Sequence, residues 1–176
     1  LRRVVSRVKI LGQMDIAERR LPQDGHATML RKGRPVDLRI SVIPTVNGES
    51  VVIRILDKET GLKPLDDLGM PAAELKRVKS ITRHRQGMFL VTGPTGSGKS
   101  TTLYSILREL RAEGPHIVTV EDPVEYEMEG VEQIQVQPKV GYTFAESLRH
   151  ILRHDPDIIM VGEIRDRETA EIAMKA

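Results

Sequence analysis

Cysteine and tryptophan are both absent from the 176 residues, and aromatic residues amount to 3%. Without thiols there can be no disulfide or thiolate metal site in this segment, a composition that suits a reducing compartment. So few ring faces leave little on which single-stranded bases could stack, which argues against a helicase-like strand-binding motor. Long apolar runs are missing too: Ile158 to Val161 is far shorter than the ~20 residues a bilayer span needs. Neither sign of charge dominates, since 27 basic residues stand against 25 acidic ones for a net +2, so no dense positive field for nucleic acid is implied. The first residue is Leu1, and the opening stretch mixes Arg and Val instead of forming a signal peptide's apolar block, so a piece of a longer protein is expected.

What remains is a globular composition, 39% hydrophobic, enough for one or two packed units. Val4, Val5, Val8 and Leu11 recur at helical spacing and predict a short helix ending near Gly12. From Val36 the period changes to two: Val36, Leu38, Ile40 and Val42 on one face, Asp37, Arg39 and Ser41 on the other, a half-buried strand. Asn47-Gly48 signals a turn into a second strand, Val51 to Leu56, so the two form a hairpin in which Arg39 and Arg54 each interrupt an apolar strand. Asp57 to Gly69 reads as a linker, and Pro71 opens a helix reaching to Ile81. Then come a strand at Met88 to Thr92, a helix at Thr101 to Leu110, a strand at Ile117 to Val120, a helix at Phe144 to Arg153, a strand at Ile158 to Val161 and a helix from Arg167. Strand alternating with helix predicts a parallel sheet.

Gly93-Pro94-Thr95-Gly96-Ser97-Gly98-Lys99-Ser100 fits G-x-x-x-x-G-K-S without gaps, between an expected strand and an expected helix. The glycines let successive backbone N–H groups turn inward, the helix aims its positive end at the phosphates, and Lys99 adds a mobile charge for the outer ones. Ser100 is positioned to ligate Mg²⁺ through its hydroxyl. The bland alternative is an ordinary Gly-rich strand-to-helix turn, which the agreement of every fixed position disfavours.

Asp157 to Val161 continues into Gly162-Glu163, a buried strand ending in a carboxylate where open sheets hold ligands. A magnesium-holding Asp is missing, because Gly162 stands just before Glu163. Glu163 is then the candidate for orienting and polarising the attacking water, with an ion pair to Arg165 as its structural alternative. Glu121-Asp122-Pro123-Val124-Glu125 puts three carboxylates at the end of another strand, either a magnesium or water site or a solvated acidic loop. On the helix opened by Thr143, with Glu146 completing a capping box, Arg149 and Arg153 share a face, which suits an external anion or a structural salt bridge. His150 and His154 have the same spacing but no third ligand nearby, and read as surface residues.

Arg20 to Gly25, Val36 to Arg39, Gly93 to Thr102, Thr119 to Tyr126 and Asp155 to Asp166 together resemble, in this order, the blocks of the secretion ATPase family that drives type II secretion and type IV pilus assembly. The resemblance covers essentially the whole chain. It implies an α/β protein with a RecA-like P-loop NTPase domain, mostly a parallel sheet, preceded by a small PAS-like α+β domain: residues 1–60, a linker at 61–70, and a partial ATPase domain at 71–176. It implies ATP and Mg²⁺ as cofactors, with nucleotide between the two domains and Gly93 through Ser100, Thr101 and Thr102 around its phosphates. By the same resemblance Arg39 and Arg54 reach the outer phosphates, Glu125 belongs to the acidic box, Glu163 is the atypical Walker B glutamate, and Arg149 and Arg153 are pocket arginines. A six-subunit cytoplasmic ring is implied, peripheral at the inner membrane, working on platform and linker proteins and not on nucleic acid. The family continues with a histidine-containing box and further strands, and many members add a four-cysteine zinc module, so this chain is expected to be partial.

The expected mechanism is a motor whose ATP hydrolysis opens and closes the two domains. Its rivals are a RecA-like helicase or conjugation ATPase, motivated by the basic pI and by Arg83, His84 and Arg85, and a nucleotide-gated assembly module without turnover, motivated by the missing Walker B aspartate.

Overall fold

The period-two pattern beginning at Val36 forms a long strand in the computed structural model, which describes residues 2–31, 33–56, 62–84 and 86–176. Asp57 to Gly61, at the start of the expected linker, and Arg85 lie outside the described residues. Two units are distinguished, Leu1–Thr60 and Gly61–Ala176.

The first unit contains helix α1 (Arg2–Leu11) and strands β1 (Gln23–Arg31), β2 (Arg34–Thr45) and β3 (Gly48–Leu56), paired antiparallel in the order β1-β2-β3. Thr45 pairs with Gly48, which leaves Val46-Asn47 as the two-residue turn of the expected hairpin. Val36, Leu38, Ile40 and Val42 are all buried and pack with Val5 of α1, each such side chain contributing about 1.5–3 kcal/mol. Strand β1 has no counterpart in the sequence reading. Its core-side positions are Gln23, Gly25, Ala27 and Met29, opposite Val42, Ile40, Leu38 and Val36, and Ala27 is the one that packs into the core cluster, so the apolar alternation is too weak to read. Gly25 is required there by close approach: a Cβ would stand 2.2 Å from the carbonyl oxygen of Gly12. Lys9, 1% exposed, points inward from α1, where its ammonium pairs with Glu49 at 2.5 Å and donates to the Glu18 carbonyl at 2.6 Å.

The second unit contains α2 (Ala72–Ile81), α3 (Lys99–Arg111), β4 (Ile117–Glu121), β5 (Glu132–Gln135), α4 (Phe144–Ile151), β6 (Ile158–Val161) and α5 (Arg167–Ala173). Its sheet is parallel, in the order β5-β4-β6. Central β4 is buried along its whole length, as a strand covered on both faces must be. Ile117 packs with Tyr104 and Leu107 of α3, while Val118 and Val120 pack with Leu148 and Ile151 of α4. Among the described residues no helix is long and apolar enough to cross a membrane.

Two local expectations are corrected, and the expected linker is packed where it is described. Met88 to Thr92, expected as the strand before the phosphate loop, is irregular, with Met88 and Leu90 exposed. A strand must pair its backbone groups with a neighbour, and among the described residues no strand lies beside this one. The described part of the expected linker, 62–70, is anchored: Leu65 is buried in a 3₁₀ turn, and α3 grips the carbonyls of Leu62 and Lys63 through Arg108 and Ser105, both at 2.8 Å. The capping box at α4 is half made. Thr143 accepts from the Glu146 amide, but the Glu146 side chain turns to Arg149 and His150.

Candidate functional site

The loop from Gly93 to Ser100 turns on three glycines of positive φ, at 148° for Gly93, 79° for Gly96 and 90° for Gly98. Gly98 is the N-cap of α3, so the first-turn amides at Lys99 and Ser100 open toward the loop with the positive end of the helix behind them. Lys99 folds its ammonium back onto the loop and donates to the carbonyls of Gly93 at 3.0 Å and Pro94 at 2.9 Å. Ser97 donates its amide to the Pro94 carbonyl at 3.2 Å, and the Thr102 amide and hydroxyl both reach the Gly98 carbonyl at 2.9 Å. Ser100 is exposed and Thr101 half-buried. Such a loop offers amides and one mobile cation to an anion.

The carboxylates after β4 separate into different environments. Glu121 is 3% exposed and takes hydrogen bonds from Tyr104, from Thr119 at 2.7 Å and from Gln133 at 3.2 Å, so it is an internal acceptor and not part of an open acidic cluster. Asp122 is exposed, and Glu125 is half-buried with its amide on the Tyr104 hydroxyl at 3.2 Å. Tyr104 was not singled out in the sequence. Its one legible signal is a phenol on the buried face of α3, which needs a polar partner for its tip.

Gly162 explains the missing aspartate. Its amide bonds the Val120 carbonyl at 2.8 Å, and a Cβ there would meet that oxygen at 3.2 Å and the Glu121 Cα at 3.3 Å. Next to it, Oε1 of Glu163 is shielded from solvent and lies 2.8 Å from a guanidinium nitrogen of Arg165, the ion pair offered as its structural alternative. Arg149 is engaged by Glu146 at 3.0 Å and by Glu168; the pairing with Glu168 first, then Glu146, raises its pKa, while Arg149 and then His150 lower that of Glu146. Arg153 is exposed. In the first unit Arg39 and Arg54 are direct partners across β2 and β3, with His26 opposite Arg39 on β1.

Among the described residues no group of three or more His, Cys, Asp or Glu side chains could cage a metal. Magnesium is held through one or two protein groups together with substrate phosphates, and the exposed Ser100 hydroxyl on the first turn of α3 is a protein group of that kind.

With a glycine-rich loop at the N-terminus of α3 and a parallel sheet, the second unit is of the α/β class. The chain belongs to the type II/IV secretion system protein family, whose pattern matches residues 1–176. It is 56% identical over 173 residues to the type II secretion system protein HxcR of Pseudomonas aeruginosa, covering 98% of this chain and 37% of that protein. To the type II secretion system ATPase E of Vibrio cholerae it is 52% identical over 173 residues, covering 98% and 34%. Its fold is similar to the crystal structure of the pilus retraction motor PilT with bound ADP, at a TM-score of 0.72 and 35% identity, over 89% of this chain and 44% of that one. The chain thus spans roughly a third of the length of the curated relatives it matches.

Proposed function

We propose that this chain is the nucleotide-handling part of an ATP-hydrolysing motor subunit that powers type II protein secretion or type IV pilus assembly. The observation that carries the reading is the Gly93–Ser100 loop: three glycines of positive φ, a helix N-terminus and the Lys99 ammonium meet in one loop. Kinship to proteins named as a secretion ATPase and a retraction motor supports the machine. On this reading the first unit is a PAS-like domain and the second a RecA-like core. The subunits form a hexameric ring in the cytoplasm, peripheral at the inner membrane, against platform and linker proteins.

The loop amides, with Thr101 and Thr102 behind them, hold the phosphates, and Lys99 exchanges the carbonyls of Gly93 and Pro94 for the outer phosphate oxygens. Ser100 would hold the magnesium ion. When bound, that ion neutralises charge developing on the transferred phosphoryl group. Glu163 orients the attacking water, which requires its carboxylate to leave Arg165, and Glu125 supports it from the acidic loop. Arg39 and Arg54 neutralise the outer phosphates, and Arg149 and Arg153 line the nucleotide pocket.

The Glu163–Arg165 pair also favours a second reading, a nucleotide-gated assembly module without turnover, because a carboxylate engaged by Arg165 is not free to receive a water. Phosphate release by the full-length protein separates the two. Under the motor reading Glu163→Gln retains nucleotide and loses turnover, and Lys99→Ala loses nucleotide. An unmodified protein that binds ATP yet releases no phosphate would establish the gating module instead.

A further inference from the structure

Tyr104 is among the most buried large side chains of the second unit, 1% exposed, and has no part in the steps above. It stands on α3 about one turn beyond Lys99 and Ser100, with its ring edge-on to Tyr126 at 5.2 Å and 88°. A phenol carries one proton and two acceptor sites. Here all three are used: the proton goes to the Glu121 carboxylate, and the oxygen accepts the amides of Glu125 at 3.2 Å and Tyr126 at 3.3 Å. Burial first, then the bond to Glu121, pushes the phenol well above its ordinary range, so it remains a donor throughout the pH range of enzymes.

Glu121 extends the network. It also holds Gln133 at 3.2 Å, and Gln133 ties back to the Tyr126 carbonyl at 2.9 Å and the Met128 amide at 2.7 Å. The loop from Glu125 to Met128 is thereby pinned to the same buried carboxylate that receives the helix. A neutral phenol with a fully satisfied oxygen does no proton chemistry. What it joins is informative: the helix whose first turn belongs to the phosphate loop, and the backbone of a carboxylate assigned to catalysis.

We propose that Tyr104 is a positioning residue for ATP hydrolysis, its hydroxyl locking the Glu125 loop to the helix that begins with Lys99 and Ser100. This rests on the hydrolysis reading above and deepens it. Misplacing a catalytic group by about 1 Å can cost on the order of a hundredfold in rate without touching the substrate.

The test uses the full-length protein and Tyr104→Phe, which keeps the ring against Tyr126 and removes the oxygen. Three readouts are taken: steady-state ATP hydrolysis, calorimetric ADP binding, and hydrogen exchange at the Glu125 and Tyr126 amides. The expected result is a fall in kcat of about tenfold to a hundredfold, KM and ADP affinity within about threefold, and faster exchange at those two amides. Unchanged kcat, unchanged exchange, or an equal loss of ADP affinity would each overturn the proposal. A parent protein that releases no phosphate overturns the hydrolysis reading instead, and the exchange measurement then still reports whether the lock exists.

Discussion

Arg39 on β2 and Arg54 on β3 face each other directly in register, on the side of the sheet opposite the Val36–Val42 core. Like charges at directly opposed positions work against pairing in a sheet, and a shared anion would offset that repulsion. If that anion is the outer phosphate of ATP, Arg54→Ala should lower kcat by roughly 10³ while ADP, which lacks that phosphate, binds with an affinity within about threefold of the parent. Steady-state hydrolysis and ADP calorimetry on the full-length protein check this. An ADP affinity that falls as far as kcat would assign Arg54 to general nucleotide binding.

Gly162 leads to a second prediction, because its crowding against Val120 and Glu121 makes the missing aspartate a consequence of packing. Gly162→Asp should not create a better magnesium site. The added side chain must displace backbone of the buried strand β4, at a cost of about 1–3 kcal/mol, with kcat unchanged or lower. Chemical denaturation beside a hydrolysis assay tests this, and a stable variant with raised kcat contradicts the packing account.

Lys9 is the third case. Its ammonium is buried and paired with Glu49, and removing one member of a buried pair leaves the other charge uncompensated. Lys9→Ala is expected to destabilise by about 3–5 kcal/mol, and Lys9→Met with Glu49→Leu by clearly less. Equilibrium unfolding of the parent, Lys9→Met, Glu49→Leu and the double variant, with Lys9→Ala beside them, measures the difference. Additive losses would show that the pair is uncoupled.

What could be read in advance divides along physical lines. The hairpin of β2 and β3, the helix α1 and the loop at Gly93–Ser100 are written in local periodicity or in residues whose chemistry demands fixed spacing. Strand β5, Glu132–Gln135, has Ile134 as its one apolar residue and exists because β4 lies beside it; β1 is similar, with Gly25 admitted by the Gly12 backbone. The inverse happened at Met88 to Thr92, where a strand-like run has no strand beside it among the described residues. At the site, Lys99 and Glu163 could be singled out because motif and strand end mark them. The burial of Glu121 and the bonds of Tyr104 could not, since they depend on which face of β4 meets α3.

Asp166 gives the pH-dependent prediction. It caps α5 by accepting from the Thr169 amide at 2.7 Å and the Thr169 hydroxyl at 2.9 Å, and those bonds, the amide first, lower its pKa below the usual 3.8. A depressed folded-state pKa means that the ionised cap contributes stability above the unfolded value, and that this contribution is lost as pH falls through the lower folded value. Asp166→Ala should therefore lower the unfolding temperature at neutral pH, and the gap to the parent should narrow once the pH drops below about 4. Asp166→Asn, a comparable cap without a titrating charge, should stay close to the parent at neutral pH and overtake it in acid. Thermal unfolding of the three proteins across this range is the measurement, and a gap between parent and Asp166→Ala that is constant with pH would show that the carboxylate does not titrate as a cap.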